Sequence, residues 1–255
     1  MRGLAPFALV VVAACSADDE ADRNASEEQN SGVHVPTTAG VEGEGGNDRV
    51  SRSPAAREVK GIPANDALIE EARRILRAVK TTEYSHTTDI DETNGTFRLD
   101  CSGFVDYALA NVLPDAFAEL QQATVTRPVA KSFVDFVSAP SGRWKRVMNA
   151  STLVPGDIVA WSLPKDSAPT TNTGHVMIVA SPATAATGEV QIDIIDASES
   201  GHGKIDARTA SGATGLGTGR VAILVDANSA PTGYRWSTES YSVPKSTTVV
   251  LAHLE

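Results

Sequence analysis

The sequence contains only two cysteines, few basic residues and few aromatic residues. With Cys15 and Cys101 as the only thiols among 255 residues, a framework of several disulfides is excluded. The 22 lysines and arginines are outnumbered by 32 acidic residues, and a net charge of −10 leaves no basic stripe that would neutralise phosphates. We therefore expect no nucleic-acid partner. The same charge makes the protein a poor electrostatic match for anionic lipid.

No hydrophobic run is long enough to span a bilayer, but the chain begins with a short one. Arg2 precedes an apolar run from Leu4 to Ala14, which is the pattern of an N-terminal processing signal. The residues V-A-A-C that end at Cys15 resemble the bacterial lipobox. The resemblance implies that residues 1–14 are a lipoprotein signal peptide and that Cys15 is lipidated after cleavage. The alternative is an ordinary secretory signal with an incidental cysteine.

Lipidation of Cys15 implies a protein anchored in the bacterial cell envelope without a transmembrane helix. Each buried CH₂ of an acyl chain contributes about 0.8 kcal/mol, so several chains hold a protein at the membrane. Ser16, by resemblance to enterobacterial sorting, indicates the outer membrane with the protein facing the periplasm. Cys101 is then the only free thiol of the mature chain.

Residues 15–62 differ in composition from the rest of the chain. They are rich in acidic residues, glycine, serine and asparagine, and they contain few large apolar side chains. Because so little apolar surface is available for burial, we expect a disordered acidic tether.

Residues 63–255 are predicted to form a single α+β domain. Helices are predicted over 67–79, with Asn65 or Asp66 as cap, and over 102–113, 116–122 and 129–137. Residues 80–98 are predicted to be irregular. Strands are predicted over 158–161, 175–180, 190–196, 221–225 and 248–253, with a P-G-D turn before the first and a hairpin at Gly188. Helices followed by such strands predict that the helix carrying the cysteine packs on an antiparallel sheet.

The stretch L-D-C-S-G-F-V-D-Y-A-L, from Leu99 to Leu109, places Cys101 where an extended segment turns into a helix. The positive end of the helix dipole and the free N–H groups there favour the thiolate, which is the nucleophilic form of cysteine. A cysteine hydrolase also needs an imidazole as base and a polar group that orients the imidazole. His175 begins one predicted strand and Asp196 ends the next, so in an antiparallel hairpin we expect them to meet.

Four motifs together resemble the NlpC family of papain-like cell-wall peptidases: L-D-C-S-G-F-V, L-V-P-G-D-I-V-A-W, T-G-H-V-M-I-V and I-I-D-A-S, in that order. The resemblance covers about residues 84–198. It implies a papain-like fold in which Cys101 is the nucleophile, His175 the general base and Asp196 the orienting residue. Many members have histidine at the third position, so Asp196 is a departure.

The same resemblance implies the substrate and its contacts. The family cleaves amide bonds in peptidoglycan stem peptides, often near D-glutamate and a diamino acid, and needs no metal or organic cofactor. Tyr84 corresponds to an upstream tyrosine that lines the cleft. Asp100 and Ser102 are candidates for binding a substrate amine. The backbone N–H of Cys101 is the expected oxyanion donor.

Several alternatives remain open at the level of sequence. His202 competes with Asp196 for the third position and is also a candidate substrate contact. The glycine-rich residues 212–219 are expected to form a loop over the cleft, since a nucleotide loop would need a strand and a helix around it. His86, Asp89 and His202 match no zinc-ligand spacing.

Two other functions also remain open. One is a non-catalytic lipoprotein that binds wall peptides, and the other is a thiol acyltransferase or amidase with a non-wall substrate. The oligomeric state is not predicted.

Overall fold

The computed structural model describes residues 61–124, 127–163 and 173–255, together with the backbone of residues 49–50. Helix makes up 29% and strand 34% of the chain, and the large sheet is antiparallel, which confirms the predicted α+β class. The predicted signal peptide, most of the tether and the lipidation site Cys15 lie outside the described residues. Within the described part, no helix is both long and apolar enough to cross a membrane.

Five helices are described, and four of them follow the predicted apolar periodicity. They are α1 (Ala64–Ala78), α2 (Cys101–Val112), α3 (Pro114–Gln122), α4 (Ala130–Ser138) and the short α5 (Ala207–Ser211). The predicted cap of the first helix is wrong: Pro63 stands at that position, because the Asn65 side chain is buried and is used elsewhere. It donates to Asp157 and accepts from the backbone of Leu254, so it ties α1 to the end of the chain.

The strands of the large sheet are β5 (Trp144–Val147), β6 (Ile158–Ser162), β7 (Gly174–Val179), β8 (Thr184–Ala186), β9 (Glu189–Ser198), β10 (Gly215–Val225), β11 (Pro231–Arg235), β12 (Lys245–Ser246) and β13 (Val249–Leu254). Their order is β12-β11-β10-β9-β7-β6-β13-β5, with β8 paired to β9. The turn at Gly188 therefore connects β8 with β9, whereas β7 pairs with β9 only near the end of β9.

A second, smaller sheet occupies the region predicted to be irregular. It contains β2 (Thr81–Tyr84), β3 (Asp89–Asp91) and β4 (Thr96–Leu99), and β3 pairs with the backbone of β1 (Arg49–Val50). The prediction of an irregular segment is wrong because the strands are too short to show an alternating pattern. The parallel pairing of β2 with β4 brings the chain into Cys101 in an extended conformation.

The large sheet is buried on both faces, which explains the nearly unbroken apolar runs of its central strands. Along β6, Ile158 and Ala160 pack under the helices, whereas Val159 and Trp161 belong to a second core. Trp161 stacks on Tyr234 of β11 with ring centroids 4.0 Å apart, although three strands separate β6 from β11. The sheet is therefore strongly curved, and its concave face encloses the second core.

Candidate active site

Cys101 is the first residue of α2 and is buried, with 4% of its surface exposed. The Asp100 carboxylate caps the helix by accepting a hydrogen bond from the Gly103 backbone N–H at 2.6 Å. The backbone N–H groups of Ser102 and of Val176, on β7, both hydrogen-bond the Cys101 sulfur and lower its pKa. The cysteine thus lies between a helix N-terminus and the strand that carries His175.

His175 and Asp196 meet as the strand pairing predicts. The register of β7 with β9 sets Ile178 opposite Ile195, which brings the start of one strand beside the end of the other. Nε2 of His175 donates to Oδ2 of Asp196 at 2.7 Å, and both side chains are buried. Since Asp196 uses Nε2, the nitrogen of His175 that can take a thiol proton is Nδ1.

Asp196 holds more than one partner. Nε2 of His202 donates to the same Oδ2 atom at 2.8 Å, and Nη2 of Arg208 donates to Oδ1 at 2.7 Å. The interactions with His202, His175 and Arg208 hold the pKa of Asp196 well below its usual range despite complete burial. The two sequence candidates for the third position therefore belong to one cluster, in which Asp196 contacts His175 and His202 contacts Asp196.

The ring of His202 is surrounded by acceptors. Its Nε2 faces the Asp196 carboxylate, and its Nδ1 lies 2.9 Å from the backbone carbonyl oxygen of Trp236. Both ring nitrogens of His202 are therefore within hydrogen-bond distance of an acceptor. The indole of Trp236 lies over this ring with centroids 4.0 Å apart.

Arg208 is fixed by a second carboxylate. Its Nη2 also bonds Asp206 at 2.8 Å, its Nε bonds the same carboxylate, and its Nη1 donates to the Gly215 carbonyl at 2.7 Å. Arg208 thus pairs with two buried carboxylates, those of Asp196 and Asp206. Buried charges are tolerated when they are paired and hydrogen-bonded in this way.

The glycine-rich segment makes room for this cluster. The expectation of a loop over the cleft is wrong: these residues begin β10, and Gly217 lies directly opposite Asp196 in the pairing with β9. A Cβ at Gly217 would lie 2.5 Å from Arg208 Nε, and one at Gly219 would lie 2.6 Å from the His202 Cβ. The alternate glycines therefore leave one face of the strand open for the side chains of Arg208 and His202.

The cysteine and the histidine are both uncharged at neutral pH. Burial and the nearby carboxylate of Asp100 raise the pKa of Cys101 to about 12, against the two backbone N–H groups. Burial, with repulsion from His202 and Arg208, lowers the pKa of His175 below 6.5 even though Asp196 opposes this change. The helix N-terminus alone does not produce the expected thiolate here, because burial outweighs it.

A small pocket of about 20 Å³ opens at the cysteine. Its walls come from the small sheet, the start of α2, the start of α4 and the start of β7, with residues Tyr84, His86, Asp100, Cys101, Ser102, Val129, Ala130, Thr173 and Gly174. Three predicted substrate contacts, Tyr84, Asp100 and Ser102, therefore line one cavity with the sulfur. His175, Asp196 and His202 do not line it; they form a buried cluster next to it, and β7 joins that cluster to the pocket through Gly174.

Sequence reasoning missed Arg127, which precedes α4 and contacts two residues of this pocket, although it lines a separate pocket beside α2 and α3. It forms two hydrogen bonds with the Asp100 carboxylate, at 2.8 and 3.1 Å, and one with the Ser102 hydroxyl at 3.2 Å. Arg127 is separated from Asp100 by 27 positions without a recognisable motif, so the sequence offered no signal for the contact.

In the described part of the chain, one group of metal-ligand atoms lies close together, and it belongs to His175, Asp196 and His202 within 4.8 Å of one another. Their mutual hydrogen bonds account for the proximity. The Arg208 guanidinium on the same carboxylate opposes a further cation.

Comparisons with known proteins assign no function to this geometry. No family model matches the chain. The chain is 28% identical over 185 residues to "Uncharacterized protein R653" of Acanthamoeba polyphaga mimivirus, a match that covers 61% of this chain and 79% of the viral protein. No solved structure matches significantly.

Proposed function

We propose that the protein is a cysteine hydrolase that cleaves amide bonds in the stem peptides of the bacterial cell wall. One observation carries the proposal: a buried cysteine at a helix N-terminus lies in a pocket beside a strand whose histidine donates to a buried carboxylate at 2.7 Å. Nucleophile, base and orienting group are the three parts that such a reaction needs.

Catalysis in this proposal begins from the neutral pair. As the Cys101 sulfur attacks the substrate carbonyl carbon, Nδ1 of His175 takes the thiol proton, and Asp196 stabilises the imidazolium that results. The backbone N–H of Cys101, which no helical carbonyl accepts, is directed to the developing oxyanion. The C–N bond breaks, the leaving amine takes the proton from His175, and water then hydrolyses the acyl-enzyme.

The finer fold assignment, a papain-like NlpC type, belongs to the same proposal. It is supported by the order of the four motifs and by the packing of α2 on the antiparallel sheet. The proposed substrate class depends on the same assignment, because only the NlpC resemblance implies that a cell-wall stem peptide is the substrate. Asp196 in place of the more usual histidine is compatible with the chemistry, since a carboxylate accepts the imidazole N–H.

The proposed location of the protein follows from the lipidation of Cys15 that the sequence predicts. The catalytic domain would then be held at the membrane surface of the cell envelope by acyl chains, facing the periplasm and within reach of peptidoglycan. In a bacterial expression host, Cys15→Ser should move the protein from the membrane fraction to the soluble fraction without changing the activity of the purified enzyme.

A second candidate is a non-catalytic lipoprotein that binds wall peptides on the same scaffold. The raised pKa of Cys101 favours it, because a buried neutral thiol is a weaker nucleophile than a thiolate. A thiol acyltransferase or amidase would use the same first step and differ in the acceptor or the substrate.

Digestion of purified peptidoglycan distinguishes these candidates. The wild-type protein should release new muropeptides, identified by mass spectrometry, and Cys101→Ser should reduce the rate by at least about a thousandfold. Ser151→Ala, an exposed serine outside the site, is the matched control, and thermal melts verify that each variant folds. Equal digestion by wild type and Cys101→Ser would exclude the hydrolase, whereas peptide binding without digestion would establish the binder.

A further inference from the structure

The guanidinium of Arg208 is buried on the carboxylate that orients His175, with 4% of the arginine side chain exposed. Its Nη2 donates to Oδ1 of Asp196 at 2.7 Å and to Oδ2 of Asp206 at 2.8 Å, and its Nη1 donates to the Gly215 carbonyl oxygen at 2.7 Å. Well-packed apolar residues are often as stabilising as a buried ion pair. Stability alone therefore does not account for an arginine at this position.

Arg208 and the two histidines use different oxygens of the Asp196 carboxylate. Oδ1 accepts from Arg208, whereas Oδ2 accepts from Nε2 of His175 at 2.7 Å and from Nε2 of His202 at 2.8 Å. The guanidinium cannot turn away, because its Nε is held by Asp206 at 3.1 Å. The hydrogen bond that leaves Nδ1 of His175 as the proton acceptor is thus fixed at its far end by Arg208.

The position of Arg208 also has an electrostatic consequence for His175. A carboxylate that touches an imidazole favours the imidazolium, and an imidazolium beside a cysteine favours the thiolate. Burial is the largest cause of the lowered pKa of His175, and Asp196 acts in the opposite direction. His202 and Arg208 both act against Asp196 and lower this pKa. Arg208 therefore offsets part of the effect that Asp196 has on the histidine.

The other groups that pack against His175 are uncharged. The rings of Trp161 and Trp236 lie 5.5 and 5.0 Å from the His175 ring between centroids. Cys101, on α2, is a neutral thiol at pH 7 because its pKa is raised to about 12. Burial lowers the pKa of Arg208, but its two carboxylate partners outweigh burial and raise this pKa overall, so the guanidinium stays charged.

We propose that Arg208 is a positioning residue for the catalytic pair: it fixes Asp196 against His175 and offsets the carboxylate charge, so that the pair rests as thiol and imidazole. The pair becomes charged only when the Cys101 sulfur attacks a carbonyl carbon and Nδ1 of His175 takes the thiol proton. The resting thiol is then protected from oxidants and other electrophiles, which react with the thiolate. This inference rests on the proposed function for the roles of Cys101 and His175.

Titration of His175 by NMR tests the inference on the full chain and needs no turnover. The chain contains five histidines, and the Cε1–H signal of His175 is the one that His175→Gln removes. In the wild-type protein this signal should titrate with a midpoint below pH 6.5. Arg208→Met should raise the midpoint by about one pH unit, because less positive charge then opposes Asp196.

Two further variants separate the charge of Arg208 from other effects of substitution. Arg208→Lys keeps the charge and should hold the midpoint within about 0.3 pH unit of wild type. Arg220→Met is the matched control, because Arg220 on β10 pairs with Asp193 on β9 but is 42% exposed, and it should leave the midpoint unchanged. If the protein digests peptidoglycan, the acid limb of the digestion rate should move upward with the midpoint in Arg208→Met.

A folded Arg208→Met protein with the wild-type midpoint would overturn the inference, and so would an equal increase of the midpoint in Arg208→Lys. If Arg208→Met does not fold, the double variant Arg208→Met/Asp206→Asn makes the same comparison, since it does not leave the Asp206 carboxylate without its cation. The outcome is separate from that of the proposed function, because a protein that digests no peptidoglycan still gives a titration of His175.

Discussion

Cys101 combines two opposing influences at the scale of a single residue. The helix N-terminus and two backbone N–H groups favour the thiolate, whereas burial and Asp100 favour the thiol and raise the pKa to about 12. The sequence motif predicted the first influence, because a helix start is a local property. It did not predict the second, since burial depends on the whole fold around the side chain.

This balance predicts how Cys101 reacts with iodoacetamide. Because only the thiolate is alkylated and the pKa is raised, the labelling rate should continue to increase through pH 8.5 to 10. Free cysteine, with a pKa of about 8.5, should level off over the same range. Mass spectrometry of the Cys101 peptide separates this signal from Cys15. A plateau below pH 8 would mean that the resting enzyme holds a thiolate.

At the residue scale, the sequence predicted the candidate catalytic residues but not the contacts of the charged residues around them. Cys101, His175 and Asp196 could be selected because each lies within a recognisable motif. Arg127 and Arg208 could not be assigned a role, because their partners are set by the packing of separate segments. Sequence reasoning left Asp196 and His202 as competitors, and the geometry gives each a distinct contact in one cluster.

Strand β10 shows how tertiary context overrides local preference at the scale of an element. A segment rich in glycine has poor strand propensity and predicts a loop. It is nevertheless a strand, since it pairs with β9 from Gly215 to Leu224, all but its last residue. Its glycines lie where side chains of Arg208 and His202 cross the strand.

Substitution of Gly217 tests this interpretation. Gly217→Ala places a methyl group against Arg208 and should lower the free energy of unfolding by about 1–3 kcal/mol. Arg208→Met should cost about 3–5 kcal/mol, because it leaves Asp196 and Asp206 without their shared cation.

The double variant should cost less than the sum of the two single variants, since methionine relieves the clash. Thr218→Ala, on the exposed face of the same strand, is the control and should change stability by less than about 0.5 kcal/mol. If the two single-variant changes in the free energy of unfolding, measured in urea, add exactly in the double variant, Gly217 and Arg208 do not interact and the interpretation is wrong.

At the scale of the whole molecule, the helices and the central strands were predictable, whereas the curvature of the sheet and the small second sheet were not. Long apolar runs and helical periodicity are visible in the chain, and they located α1, α2, α4, β6, β7 and β9. Curvature comes from contacts such as Trp161 with Tyr234, which join distant strands and leave no local pattern.

Global stability should decrease on mild acidification because of His175. Its pKa is lowered in the folded protein, so below pH 6.5 the unfolded chain binds a proton that the folded chain does not. Stability therefore decreases as the pH falls from 6.5 towards the folded pKa. The loss of Tm between pH 7 and pH 5 should be greater in wild type than in His175→Gln.

His86→Gln serves as the control for that experiment, because the His86 side chain is 53% exposed. It should reproduce the pH dependence of wild type. If His175→Gln shows the same decrease in Tm as wild type, the acid sensitivity originates elsewhere in the fold.

The cluster around Asp196 has a consequence for how this site can change in evolution. Replacing Asp196 by an apolar residue would leave His202 Nε2 without its acceptor and Arg208 without one of its two carboxylates, and a side chain at Gly217 would displace Arg208. A descendant with a different third residue is thus expected to change several of these positions together. We expect residues 196, 202, 206, 208, 217 and 219 to covary as one inherited block.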